Sequence, residues 1–427
     1  MTDKIWKFFT SLRLTVVLLA LGLVLIFLGT VAQVHEGLWN AQVRWFKGIL
    51  VIRETGDPWW VPPIFPGGYL LGVLLLLNLV AAHIKRFNLA WNKFGINLTH
   101  FGIIVLLAGQ LFTDRLAQES VMSFREGETK RFSEATREFE LAFTRPVDDQ
   151  QDEVVAIPAD LLKKGETLRH EKLPFGVKID EFWVNSEPSF RAPMQQNGPA
   201  LSDKGIAKDW DFRESKEARD MDSRNLPTAI IQLAGDSAAG DLGTWVASSW
   251  TSDEIAERVR VSYAQSVGAD VANSIASKLT APQEVTVGDK TWRMALRPTR
   301  FYKGFSVTLL KTTHDVYPGT ITSDNPQGIP KNFQSRVRIE NPERGEKREV
   351  DIYMNNPLRY EGLTFYQQTM GRDERQQVGQ SGLQVVRNPS WQTPYWGCLI
   401  VAAGMVFQFG YHLIRFITKR RETAALA

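Results

Sequence analysis

Apolar runs and long polar stretches alternate along this 427-residue chain, and four of the runs, residues 14–34, 69–84, 96–112 and 395–416, are candidates to cross a membrane. A hydrocarbon core roughly 30 Å thick needs about 20 mostly apolar residues in a helix, and the first run meets that length outright. Lys4, Lys7 and Arg13 precede it. It is too long for a signal-peptide core and holds no small-x-small cleavage site, so it reads as a retained anchor. The second and third runs flank Lys85, Arg86 and Lys93 and form a hairpin with a short basic turn, and the fourth ends in Lys419, Arg420 and Arg421. Positive charge collects on the cytoplasmic side of membrane helices. This rule places the N-terminus, the 85–95 turn and the C-terminus inside, and everything between the third and fourth helices outside.

Between the apolar runs the period changes. Residues 138–144, 228–233 and 292–297 alternate as strands do, and residues 337–353 read as a hairpin turning at Glu343-Arg344-Gly345. Thr251-Ser-Asp-Glu254 resembles a helix-capping box before a helical pattern that Gly268 interrupts. Residues 188–225, polar and rich in Ser, Asn and Pro, predict a long surface excursion. The predicted architecture is a polytopic membrane protein with four transmembrane α-helices and a large extracytoplasmic, mostly-β domain inserted between helices three and four. Its divisions are 1–34 (cytoplasmic N-terminus and helix one), 35–66 (an outer loop), 67–113 (the transmembrane hairpin), 114–394 (the β-rich domain) and 395–427 (helix four and a basic tail). The outer loop carries Trp39, Trp45, Trp59 and Trp60 with Pro62-Pro63, a composition that suits either the membrane surface or packing against the outer domain.

Composition narrows the chemistry. Mean hydropathy of −0.19 averages over segregated segments, and a net charge of +3 with no basic, aromatic-laced tract argues against nucleic acid. One cysteine, Cys398, permits no internal disulfide, no CxxC redox pair and no CxxCH heme-attachment motif. The chain has no GxSxG elbow, P-loop or HExxH pair. In the outer domain only His170 and His314 are available as imidazole ligands, and a surface or core place accounts for them.

Three histidines stand out because each sits within or at the end of a different apolar run: His83, His100 and His412. Hydrocarbon penalises polar groups, so such residues need a reason. Imidazoles from separate helices can ligate a metal centre such as heme iron. For His83 and His412, next to Lys85, Arg86 and Arg415, a place at the mouth of the helix serves as an equal explanation. His100 lies seven positions, or roughly 10 Å of helix, beyond Lys93, which puts it below the headgroups and favours function.

The segment Asn355-x-Pro357-Leu358-x-Tyr360-x-Gly362-x-Thr364-Phe365-Tyr366-Gln367 resembles the signature of ResB-type proteins, also called CcsB, of the System II cytochrome c maturation pathway. Phe9-Thr-Ser-Leu-Arg-Leu-Thr-Val-Val-Leu-Leu19 with Gly29-Thr30 is similar to that family's first helix, and Thr99-His100-Phe101-Gly102-Ile103 followed by Gly109 to its third. The resemblance implies a subunit of a membrane complex that carries heme b, as cargo, from the cytoplasmic side outward and helps present it to the CxxCH thiols of an apocytochrome c. It also implies a ResC/CcsA-type membrane partner bearing the Trp-rich heme-handling segment, thiol-reducing proteins of the pathway, surrounding lipid, and a bacterial cytoplasmic membrane as location. Such a chain is a non-autonomous part of a heme lyase with no catalytic residue of its own. On this resemblance His100 is the axial ligand to heme iron, and His83 and His412 are accessory contacts to the heme. The alternative is a membrane-anchored envelope scaffold or sensor. A membrane cytochrome b fits less well, because such proteins stack two histidines on one helix and each helix here carries one.

Overall fold

The computed structural model describes residues 2–148, 151–191, 199–202, 204–220, 223–235, 240–320, 329–372 and 379–425. Four helices are long and apolar enough to cross a membrane. A short amphipathic helix α1 (Thr2–Phe9) breaks at Thr10 and leads into α2 (Leu12–Glu36). One turn, α3 (Leu38–Ala41), and a small hairpin, β1 (Leu50–Ile52) with β2 (Ile64–Pro66), precede α4 (Gly68–Arg86) and α5 (Trp91–Leu116). Each long helix exceeds the predicted run by several residues, because the helix continues through polar flanks that hydropathy does not count.

These helices wear their apolar side chains outward: Leu23 is 71% and Phe27 68% exposed. A surface of this kind is suited to lipid or to other membrane helices. Inside the 35–66 loop, Trp45 and Val61 are fully buried against Leu18, Leu25 and Leu71, so the loop caps α2 and α4. Arg44 holds the loop's shape by pairing with Glu36 (2.8 Å) and Asp57, and its hydrogen bond keeps the Asp57 carboxyl below the usual carboxylate range. The four tryptophans divide. Trp39 lies under the Arg137 guanidinium at 4.1 Å, Trp60 stacks near Trp45, and Trp59 stays 88% exposed.

After α5 the chain turns to antiparallel β-structure. The strands are β3 (Gln118–Arg125), β4 (Thr129–Pro146), β5 (Asp152–Pro158), β6 (Thr167–Leu168), β7 (Phe175–Trp183), β8 (Ser186–Phe190), β9 (Trp210–Glu214), β10 (Thr228–Gly235) and β11 (Asp241–Ser248). Two helices follow, α6 (Asp253–Val267) and α7 (Ala269–Leu279), separated by Gly268 as the sequence pattern predicts. The N-cap of α6 is Ser252, one residue after the start of the predicted Thr251–Glu254 box, and its side chain makes no cap hydrogen bond; the Glu254 side chain lies outside the described residues. The remaining strands are β12 (Gln283–Val287), β13 (Lys290–Val316), β14 (Pro330–Asn341), β15 (Glu346–Tyr353), β16 (Leu358–Tyr360), β17 (Leu363–Arg372) and β18 (Gly379–Arg387), and α8 (Thr393–Ala425) ends the chain.

Ten strands make one sheet, with the path β15-β14-β13-β4-β3-β18-β17-β16 and with β12 and β5 alongside. The long β13 serves two cores. Its first half contributes Trp292, Met294 and Leu296 to a core shared with the smaller β11-β10-β7-β6 sheet, and its second half contributes Phe305, Val307 and Leu309 to another. The segment 188–225 departs from the predicted surface excursion. Its described part pairs β8 with β9 and buries Ile206, Trp210 and Phe212 under α6 and α7. Its apolar residues are too sparse to show a period, yet a third core forms around them. At the bulge of β13 after Tyr302, Lys303 donates to the Phe301 carbonyl at 3.4 Å, and burial pulls its amine down to about 8.

Candidate functional site

The ResB-like signature segment builds two tight turns and a core edge. Asn355 takes a left-handed conformation (φ 62°) beyond β15, and Glu361 and Gly362 (φ 49° and 72°) form the two-residue turn that pairs β16 with β17, Tyr360 opposite Leu363. Two positive φ values in succession are what a tight hairpin of this twist requires, and glycine meets that at the second position without strain. Tyr360 is buried, donates to Glu346 Oε2 at 2.7 Å, accepts from Asn341, and stands edge-on to Phe305 at 4.9 Å. Phe365 is fully buried, and Gln367 accepts from Ser335 and donates to the Thr369 carbonyl. The signature therefore acts by packing. It also reaches toward the helices, since the Arg359 guanidinium lies 3.8 Å over Trp391, just ahead of α8.

The helix pair α5 and α8 meets through small residues. A Cβ placed on Gly95 would stand 2.6 Å from the Gly404 carbonyl, one on Gly102 2.7 Å from Val401, and one on Gly404 2.8 Å from the Gly95 carbonyl. Glycines seven apart on α5 thus face α8 in one stripe, and the backbones come into contact. Gln408 ties the seam at its far end, donating to the Asn92 carbonyl (3.3 Å) and lying 2.7 Å from His412 Nε2.

His100 lies five residues from Gly95 and so about 140° around the helix from that seam. It faces α4, where its ring centre is 6.3 Å from that of His83, the ring planes 29° apart. An antiparallel hairpin explains the meeting. Side chains on a helix lean toward its N-terminus, so His83, one turn from the end of α4, leans away from the turn, while His100, deeper along α5, leans toward it. The His100 Nδ1 is 2.8 Å from the Ile96 carbonyl. That oxygen can only accept, which assigns the proton to Nδ1 and leaves Nε2 with its lone pair. Beside the pair, His83, Phe87, Leu89, Phe94, Asn97, Leu98 and Phe101 line an apolar cleft of about 160 Å³. His412 does not join it. It stands exposed on α8, beyond the opposite face of α5, with its Nε2 engaged by Gln408.

One polar residue inside these helices escapes a reading by histidine. Asn78 is fully buried, donates to the carbonyls of Phe9 (2.7 Å) and Ser11 (3.2 Å), and accepts from Thr15 (2.6 Å). It satisfies backbone groups freed where α1 breaks from α2, and so fixes the first helix to the one that carries His83. The signal was an asparagine amid leucines at 74–79. A second cavity, about 520 Å³, lies where the chain passes between helices and sheet, bounded by Arg115, Glu119, Glu138, Phe301, Arg387 and Pro389. Its two cations and two carboxylates leave no net charge to single out a ligand. Among the described residues no group of three His, Cys, Asp or Glu side chains could hold a metal ion.

Four helices long and apolar enough to cross a membrane join a β-rich region, and an imidazole pair faces across one helix hairpin. Residues 268–380 match the model of the ResB-like family, a span that includes the 355–367 signature and excludes the long helices. Over that span the chain is similar to the ResB-like family, which suggests involvement in cytochrome c biogenesis. No curated protein matches the chain.

Proposed function

We propose that this protein is the ResB-type subunit of a System II cytochrome c synthetase, handling heme b as cargo within the membrane and helping to present it outside for covalent attachment to apocytochrome c. The observation that carries the reading is His100, an imidazole on an apolar helix whose Nδ1 is held by a carbonyl while Nε2 stays available, beside an aromatic-walled cleft. A carbonyl or carboxylate on the far nitrogen is the usual support of a metal-bound histidine, fixing tautomer and orientation. Apolar walls suit the porphyrin faces, and Lys85 and Arg86 near the hairpin turn suit its propionates.

In this reading the basic ends of the helices lie in the cytoplasm of a bacterial inner membrane and the β-rich domain, 114–394, lies outside. That domain receives the apocytochrome, and a ResC/CcsA-type partner completes the lyase. His412, held by Gln408, serves the α5–α8 seam or the heme's periphery rather than the iron.

The test is the absorption spectrum of the protein purified with its partner, beside the c-type cytochrome content of the host. His100→Ala is expected to remove the Soret band and the mature cytochromes together. A colourless wild-type preparation from a host with full cytochrome content would instead support the envelope scaffold.

A further inference from the structure

We propose that the cavity between helices and sheet binds a zwitterionic aminophosphate, the headgroup of a phosphatidylethanolamine-type lipid, with its phosphate on Arg115 and Arg387 and its ammonium on Glu119 and Glu138. Neither heme handling nor the sidedness of the membrane enters into it.

Strand register makes the cavity. The pairing of β3 with β18 runs to the very start of β3, where Gln118 stands opposite Arg387. The pairing of β3 with β4 is confined to Ser120 with Ala135 and Val121 with Glu134. Toward α5 these two strands therefore part, and the fork between them carries Glu119 on one side and Glu138 on the other. Arg115, in the last turn of α5, and Arg387, at the end of β18, close the fork from the helix side. The space is about 520 Å³, within the roughly 300–1,000 Å³ of small-molecule sites.

The charges in this space are not spent on one another. Among the described residues none of the four makes an ion pair; Arg115 lies over the Tyr69 ring at 4.8 Å, and Glu119 accepts from Gln384 at 3.1 Å. Two guanidiniums and two carboxylates beside one cavity match a ligand that carries both signs and no net charge. Guanidinium is the side chain best shaped to grip phosphate, and a primary ammonium offers three N–H donors to carboxylates. A trimethylammonium offers no N–H donor. An anionic headgroup would leave both carboxylates facing negative charge.

Position in the fold identifies the source of such a ligand. The cavity lies where α5 ends at Leu116 and the chain approaches α8 through Pro389. Around this level the long helices carry Tyr69, at the start of α4, and Trp391, Tyr395 and Trp396, at the start of α8, the last three 41%, 64% and 58% exposed. Tyr and Trp gather at the headgroup level of a bilayer, on either side of it. Arg115, Glu119, Glu138 and Arg387 are all exposed, so the cavity is open, and a headgroup can enter while its acyl chains stay among the lipid.

The experiment offers the full chain, exchanged into detergent free of lipid, equal amounts of phosphatidylethanolamine, phosphatidylcholine and phosphatidylglycerol with the same acyl chains, and counts retained lipid by native mass spectrometry. Wild type is expected to keep phosphatidylethanolamine roughly tenfold over either competitor, the ratio that one lost charge-assisted contact gives. Arg387→Gln is expected to lower that retention about tenfold by the same measure. Glu138→Gln leaves an excess of positive charge and is expected to move the preference toward phosphatidylglycerol, a change of sign that a misfolded chain cannot produce. Equal retention of the three lipids by wild type overturns the proposal, as does unchanged selectivity in both variants. Soluble phosphoethanolamine separates the two sources of this chemistry. Displacement of the lipid only by a large excess supports a lipid site, because acyl chains add burial that the free headgroup lacks. Displacement at a concentration equal to that of the lipid overturns the lipid assignment.

Discussion

On one face of α5, glycines at 95 and 102 let α8 approach until backbone meets backbone, and Gly109 meets Thr393; on the other, the His100 ring lies 6.3 Å from that of His83 on α4, next to a small apolar cleft. The same helix is thus a permanent joint on one side and an opening on the other. In lipid, where apolar tails compete equally for apolar side chains, close packing is what holds helices together, and small residues give it. The aromatic side chains on the α4 side pack less closely and leave a small apolar cleft. A fixed α5 also gives His100 a stable position from which to meet whatever lies toward α4.

The contrast predicts different responses to substitution. Filling the seam with Gly102→Leu should have the largest effect on stability, about 3 kcal/mol or more, because the new side chain meets Val401 and the Gly397 backbone. A thermal melt in detergent that moved by only a degree or two would break the claim that this face is closed. Asn78→Leu removes the partner of two helix-break carbonyls and of Thr15, and should cost about 1–3 kcal/mol, read as a lower melting temperature.

A control away from both faces is Lys303, whose amine is pulled down to about 8 by burial. A lysine with a lowered folded pKa is penalised wherever it must stay charged. The cost is fully present below about pH 8 and is relieved as pH rises toward the ordinary lysine value, roughly 10.5. Lys303→Met should therefore raise stability by about 1 kcal/mol at pH 7, with the gain shrinking between pH 8 and 10.5. A gain that did not change across that window would show that desolvation of the amine is not its source. The smallest structural effect belongs to His100→Ala, expected within about 0.5 kcal/mol of wild type because the ring is only half-buried and its one hydrogen bond is local. On the proposed heme-handling reading, the Soret band of the protein purified with its partner should nevertheless vanish. Large loss of fold with loss of heme on one face, and loss of heme alone on the other, is the pattern that separates joint from site.

Much of this was written in the chain as pattern. The four long helices follow from apolar runs, the 337–353 hairpin from Glu343-Arg344-Gly345, and the helical break from Gly268. The turn at Glu361-Gly362 is likewise a local matter, since it needs a residue free to take positive φ. Other features left weak marks. Residues 188–225 looked like surface because a core made of Ile206, Trp210 and Phe212 has no period to display. Asn78 left no such mark, because a single polar residue in a leucine run does not say which distant carbonyls it will meet.

The sequence alone determined which segments are apolar enough to leave water, where the strands alternate, and which imidazoles lie in apolar surroundings, because each of these depends on composition and spacing within a few turns of chain. Only the tertiary structure decided that His83 and His100 face each other while His412 stands apart, and that glycine stripes on α5 and α8 close on one another. Those outcomes depend on the rotation of each helix about its own axis and on the depth at which two helices are offset, and both are set by contacts between residues far apart in the chain.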